Sequence, residues 1–339
     1  MSSRDHESHK KLRQNLHKHW YSFAMPAVGK LVCALSRVLH HGGSALPGKV
    51  IESLDSGFLA RTLASLPYGI VLISGTNGKT TTTRMVTSML RDAGLNVFTN
   101  PTGSNFTRGV VASLAKIMPA FGTKLNADIA VLELDEAYAV HFVNQIKPRY
   151  SLLLNVMRDQ LDRFGEIDTT AKLLSNVAAA TEGTVVLNRE DSRICALAKV
   201  VPSGTCVRYF GLDDAVKSMF PTDDDLHNTA EKSENCKDTA ESKANNLPKA
   251  DVVLSKVGDH EAEFILDGKS KTTSVKLDGA YNIFNAAAAA TVVRAILADA
   301  TKQNSALQKF DDDALMEAIS HVTPAFGRGC LLYTSPSPR

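Results

Sequence analysis

The chain of 339 residues carries 38 Lys+Arg against 36 Asp+Glu, a formal net charge of +2, with 44% hydrophobic and 22% charged residues. That balance excludes a disordered, collagen-like or strongly nucleic-acid-binding chain, and the length suits about two domains at roughly 100–200 residues each. The five cysteines, Cys33, Cys195, Cys206, Cys236 and Cys330, include no CxxC pair, which argues against a disulfide framework and a zinc ribbon and for a reducing cytoplasm.

The first residues, MSSRDHESHKKLRQNLHKHW, are polar and basic, and no short apolar core with a small-residue cleavage site follows, so nothing reads as a signal peptide. Ser22 to Leu39 is apolar but broken by Pro26, Lys30 and Arg37, so it reads as an amphipathic helix. Two placements fit it: packing on its own domain, or contact with an anionic membrane surface through its basic approach. HHGGSALPGK (40–49) marks a loop, and residues 1–48 read as an N-terminal helical element.

From Ile70, β-branched runs alternate with helical segments. The strands IVLIS (70–74), NVFTN (96–100), IAVLEL (129–134), YSLLLNV (150–156) and TVVLN (184–188) are separated by helices near 79–93, 106–119, 136–146 and 169–180. This alternation predicts an α/β fold with a parallel sheet covered on both faces. The pattern changes after Gly211: residues 211–250 hold nine acidic and five basic side chains and few large apolar ones, which predicts a disordered acidic insertion. VVLSKV, AEFIL and TTSVKL then predict a small antiparallel patch, followed by an Ala-rich helix near 281–298 and a last helix near 311–321. The tail CLLYTSPSPR (330–339) continues none of this and reads as foreign to the fold.

The strongest chemical signal is GTNGKTTTT (75–83) between a strand and a helix. Such glycines let backbone N–H groups fold around phosphate oxygens while the helix start adds its dipole; Lys79 supplies a mobile cation and Thr80 a hydroxyl for Mg²⁺. The strict GxxxxGK[ST] pattern would place a glycine at Ile73, so this is a shortened loop. LELDEA (132–137) sets Glu133 at a strand's C-terminal end as a metal candidate, with Asp135 and Glu136 beside it; the competing reading is capping of the next helix. NVMRDQLDRFGE (155–166) gathers Asn155, Arg158, Asp159, Asp162 and Arg163 at another strand end, suited either to substrate or metal contact or to surface ion pairing. Asn282 in YNIFN offers an amide to a base edge, and Arg328 in FGRG a guanidinium to a phosphate.

Taken together, GGSALPGK, GTNGKTTTTRM, TNPTGSNFTRG, LELDEA, NVMRDQLDRFGE, LDGAYNIFNA and PAFGRG resemble the Mur ligase superfamily of ATP-dependent amide-forming enzymes, and within it the MurT-type ligase subunits of lipid II isoglutaminyl synthase. The resemblance implies a central ATP-binding domain at 49–329, with Thr76, Asn77, Gly78, Lys79, Thr80 and Thr81 cradling the ATP phosphates and Thr80 and Glu133 holding Mg²⁺. It sets Asn282 in the adenine-side motif, where many members read His-Asn, and gives catalytic roles to Lys79, Asp159 and Arg328. It further implies amidation of the D-glutamate α-carboxyl of lipid II through an acyl phosphate, at the cytoplasmic membrane face. The ammonia would come from a glutamine amidotransferase partner of the GatD type, in a heterodimer serving peptidoglycan synthesis and so cell shape.

Departures from the family sharpen that expectation. Many peptide-forming members carry Asp-His where this chain has Asp159-Gln160, which favours the amidating branch over amino-acid-adding ligases of the Mur or folylpolyglutamate type. Lys172 is the nearby candidate for the family's carbamylated lysine. The four-cysteine zinc ribbon of many relatives has no counterpart, so no zinc is expected. The family's C-terminal domain would follow Gly329 and is expected to be missing, which leaves a truncated nucleotide-binding module without turnover as a further reading.

Overall fold

The structure is a computed structural model and describes residues 20–38, 46–100, 106–157, 166–220, 247–276 and 279–322. A 3-10 turn (Trp20–Ala24) leads into α1 (Met25–Val38), followed by α2 (Leu46–Leu54) and α3 (Phe58–Ala64). The alternating region comprises β1 (Ile70–Ser74), α4 (Lys79–Asp92), β2 (Val97–Thr99), α5 (Thr107–Ile117), β3 (Ile129–Glu133), α6 (Glu136–Val143), β4 (Tyr150–Leu153), α7 (Glu166–Ala180) and β5 (Thr184–Asn188). Then come α8 (Ser192–Ala196), β6 (Cys206–Leu212), β7 (Val252–Val257), β8 (Glu261–Leu266), β9 (Lys269–Ser274), α9 (Ala280–Ala300) and α10 (Asp312–His321).

The strands form one sheet in the order β2-β3-β1-β4-β5-β6-β7-β8-β9, parallel from β2 through β7 and antiparallel from β7 to β9. Every residue of β1, β3, β4 and β5 is buried, which is why these strands read as continuous apolar runs. Alternate side chains feed two cores. Val71 and Ile73 join α4, α9 and α10 on one face, whereas Ile70 and Leu72 join α1, α2, α3, α5, α6 and α7 on the other. α9 is long and apolar enough to cross a membrane by length and composition, but its alanine run, Ala286 to Ala290, is fully buried.

Each anticipated strand is present. Several features differ from the reading of the sequence. No strand was expected at Cys206–Leu212, yet β6 joins β5 to β7 and makes the antiparallel patch a continuation of the main sheet. Its outer half is only partly covered, so Cys206 and Arg208 interrupt the apolar run that betrays the central strands. Gly211 and Leu212 complete that strand, and Phe220 is buried, so the ordered chain reaches past the expected start of the insertion; residues 221–246 lie outside the described residues.

α2 runs through the expected boundary at 48/49. A Cβ on Gly48 would collide with the Arg108 carbonyl oxygen, so α2 lies directly on the start of α5. The tail at 330–339 also falls outside the described residues.

Candidate functional site

Strand order places the loop after β1 between the ends of β3 and β4, the edge where open α/β sheets bind ligands. The loop turns on Gly75 (φ 137°) and Gly78 (φ 85°), conformations that side chains rarely adopt. A Cβ on Gly78 would also stand 2.6 Å from Asn285 Nδ2 of α9, so this glycine is fixed by both torsion and space.

Asn155, just past β4, shapes the loop. Its carbonyl oxygen accepts from Thr76 N–H (3.0 Å), its Oδ1 accepts from Asn77 N–H (2.9 Å) and its Nδ2 donates to the Asn77 carbonyl (3.1 Å). Thr76 Oγ1 in turn accepts from Met157 N–H (3.1 Å). Thr76 and Asn77 therefore spend their N–H groups on Asn155. The donors suited to an anion begin at the first turn of α4, whose N–H groups have no partner within the helix.

Lys79 Nζ donates to the carbonyls of Gly75 (2.7 Å) and Thr76 (3.3 Å) and lies 3.4 Å from Asp135 and 3.7 Å from Glu136. Thr80 Oγ1 donates to Glu133 Oε1 at 2.6 Å, and both residues are buried. The register pairs Ile73 with Glu133, which brings the carboxylate beside the loop. Asn100, at the end of β2, fixes it from behind: Oδ1 accepts from Glu133 N–H (3.0 Å) and Nδ2 donates to its carbonyl (2.9 Å). A cation, a hydroxyl and a carboxylate at a helix N-terminus are a donor set for a phosphate with a hard divalent metal ion.

Beside the loop opens a cavity of about 430 Å³. Asn77, Gly78 and Asn155 form one wall, and Phe210, Phe220, Tyr281 and Phe284 an apolar one; Phe220 meets the Tyr281 ring edge-on at 5.4 Å and the Phe284 ring at 5.5 Å. Asn188, Glu190, Asp191, Asn282 and Asn285 supply polar groups. Asp191 caps α8 by accepting from Arg193 and Ile194 N–H and reaches Val156 N–H at 2.7 Å; burial nevertheless pushes its carboxyl above the usual value, against the pull of those three bonds. An apolar slot with a few convergent polar groups, next to a phosphate-type loop, suits a flat heteroaromatic ring joined to phosphates.

The structure thus brings Thr76, Asn77, Gly78, Lys79, Thr80 and Glu133 together, with Thr81 on the same helical turn and Asn282 across the cavity. Lys172 is exposed on α7. Asp159 and Arg328 lie outside the described residues. Asn100, Asn188 and Asn285 were not singled out from the sequence. Their signal is an asparagine ending an apolar strand (NVFTN, TVVLN) or entering an alanine helix (YNIFNA).

Comparison with known families decides the lineage: the Mur ligase middle domain matches residues 73–293, from the end of β1 into α9. The chain belongs to the Mur ligase family. Among Mur ligases, subunit MurT of the glutamine-hydrolyzing lipid II isoglutaminyl synthase of Streptococcus pneumoniae is 32% identical over 280 residues, 76% of this chain and 59% of that protein. The UDP-N-acetylmuramoylalanine–D-glutamate ligase of Paraburkholderia phymatum is 31% identical over 160 residues, 46% of this chain and 30% of that one. The structure of the Mur ligase MurF of Thermotoga maritima in complex with ADP shares the fold, with a TM-score of 0.55 at 18% identity, covering 82% of this chain and 53% of that one. This chain spans less than two thirds of each of these Mur ligases.

Proposed function

We propose that this chain binds Mg-ATP and acts as the ligase subunit of an amidating enzyme, converting the α-carboxyl of D-glutamate in the lipid II stem peptide to a carboxamide. The observation that carries the nucleotide part is the convergence of Lys79, Thr80 and Glu133 at the N-terminus of α4, beside an apolar cavity of nucleoside size. The likeness to the pneumococcal synthase subunit supports the substrate class, as does Gln160, which stands where peptide-forming relatives carry histidine by resemblance.

The residues fit the groups they would hold. Gly78 lets the loop turn at φ 85° against Asn285, Lys79 presents an ammonium, and the Thr80 hydroxyl and Glu133 carboxylate form an oxygen pair of the kind Mg²⁺ takes. When bound, Mg²⁺ supplies charge neutralisation at the outer phosphate oxygens. Lys79 opposes the charge that builds on the transferred γ-phosphoryl, and the α4 dipole adds to it. Asn155 and Asn100 hold the loop and the Glu133 backbone rigid, so little reorganisation accompanies the transfer. The substrate carboxylate oxygen takes the γ-phosphoryl and ADP leaves. Ammonia nitrogen then adds to the acyl carbon, phosphate departs with the C–O electron pair, and the nitrogen sheds a proton to give the amide. On this reading ammonia comes from glutamine hydrolysed by a GatD-type partner, and the work is done in the cytoplasm.

The test is the full-length protein with its partner, lipid II, glutamine and ATP, read by mass spectrometry for ATP-dependent conversion of carboxyl to carboxamide. An unchanged stem peptide sinks the proposal. The likeness to the Paraburkholderia ligase supports a second reading, an amino-acid-adding ligase; incorporation of an amino acid instead of ammonia in the same assay would decide for it. Nucleotide binding with no product of either kind would leave a binding module without turnover.

A further inference from the structure

Exposed large apolar side chains are concentrated in one region. Of thirteen among the described residues, eight lie on or beside α1, α2 and the end of α5. α1 is apolar on both sides. Met25 and Gly29 face inward, where a Cβ on Gly29 would meet Ala115 and Ile51 at 2.7 and 2.8 Å. Leu31, Leu35 and Val38, spaced i, i+4, i+7, form the opposite stripe and are 61%, 52% and 75% exposed. Phe23 extends the surface by packing on Phe121, ring centroids 6.1 Å apart, and Ile117 adjoins it.

The cations beside α1 and the end of α5 outnumber the carboxylates: Lys30, Lys116 and Lys124 lie there, whereas Glu52 of α2 pairs with Arg108 and Asp55 with Arg61. From Ser8 to Ile51 the sequence holds seven Lys or Arg and no Asp or Glu, and from Ala93 to Ala127 three and none. The rest of the chain holds 28 basic against 36 acidic residues, so along the sequence these two stretches are the basic ones. Lys116 and Lys124 are exposed next to Ile117 and Phe121.

We propose that this face docks on an anionic lipid bilayer, with Phe23, Leu31, Leu35, Val38, Ile117 and Phe121 at the boundary between headgroups and acyl chains and Lys116 and Lys124 against the headgroups. Apolar side chains ringed by cations are what interfacial binding requires. A second copy is the poorer occupant, because pairing this face with itself sets like charges opposite one another. The inference stands apart from the nucleotide site, and it would bring that site to a lipid-linked substrate.

The test is cosedimentation of the full chain, without nucleotide, with vesicles of phosphatidylcholine alone or mixed with phosphatidylglycerol. Binding is expected to the anionic vesicles, weakened by high salt and reduced roughly tenfold or more by Leu31→Glu with Leu35→Glu. Lys116→Glu with Lys124→Glu, which leaves the apolar stripe intact, is expected to weaken binding to anionic vesicles alone. Circular dichroism and ATP titration verify that the variants fold. No binding by the wild-type chain, unchanged binding by folded variants, or a dimer that the Leu31/Leu35 variant dissociates would each overturn the proposal.

Discussion

Asn155 grips Asn77 at two points, Oδ1 on the N–H at 2.9 Å and Nδ2 on the carbonyl at 3.1 Å, so one side chain past β4 sets the backbone of the loop past β1. Asn155→Ala removes both bonds and is expected to lower stability by about 1–2 kcal/mol. It should also weaken ATP binding roughly tenfold, because the loop must then be ordered by the ligand. Titration with a fluorescent ATP analogue, beside urea unfolding, measures both; Asn155→Asp, which keeps the acceptor and loses the donor, should fall between. Wild-type affinity in Asn155→Ala would refute the clamp.

Gly78 is held by torsion and by space. Gly78→Ala meets Asn285 Nδ2 at 2.6 Å in a backbone with φ 85°, and a loss of about 1–3 kcal/mol is expected. Adding Asn285→Ala relieves the contact but not the torsion, so the double variant should recover only part of that loss. Full recovery in thermal unfolding would mean that the left-handed torsion is irrelevant.

Thr80 and Glu133 are expected to act together on the metal. Thr80→Val keeps the shape of the side chain and removes the hydroxyl 2.6 Å from Glu133 Oε1. ATP affinity measured with Mg²⁺ should fall sharply, while affinity in EDTA should change little. Equal losses under both conditions would indicate a packing defect instead of a lost metal contact.

Asp191 sets a pH dependence. Burial raises its carboxyl above 3.8, so in the interval between 3.8 and the raised value the folded chain keeps a proton that the unfolded chain has released. This group's contribution to stability therefore declines as pH rises through that interval and is level above it. Urea midpoints of Asp191→Asn relative to wild type should climb over the same interval; a difference independent of pH would contradict the assignment.

Much of this was legible in the residues. IVLIS before GTNGKTTTT specifies a buried strand, a turn on glycines and a helix, because β-branched runs, positive-φ positions and threonine-rich helix starts each act locally. Lys79, Thr80 and Glu133 could be chosen for the same reason: their chemistry is carried by residue type and by position at the end of a local element. β6 is not legible in the sequence, since its half-buried first half reads as neither a buried run nor a clean alternation.

The sequence by itself determined the alternation of strands and helices, the phosphate-type loop and the carboxylate at the end of β3, since each follows from short-range pattern and backbone preference. Only the tertiary structure decided what those groups touch. That Asn100 braces Glu133, that Asn155 holds Asn77, and that Asn285 of α9 closes on Gly78 depend on strand order and helix packing. An asparagine side chain offers the same donor and acceptor wherever it lies in a chain, and the partner it finds is set by which elements the fold brings within hydrogen-bond reach.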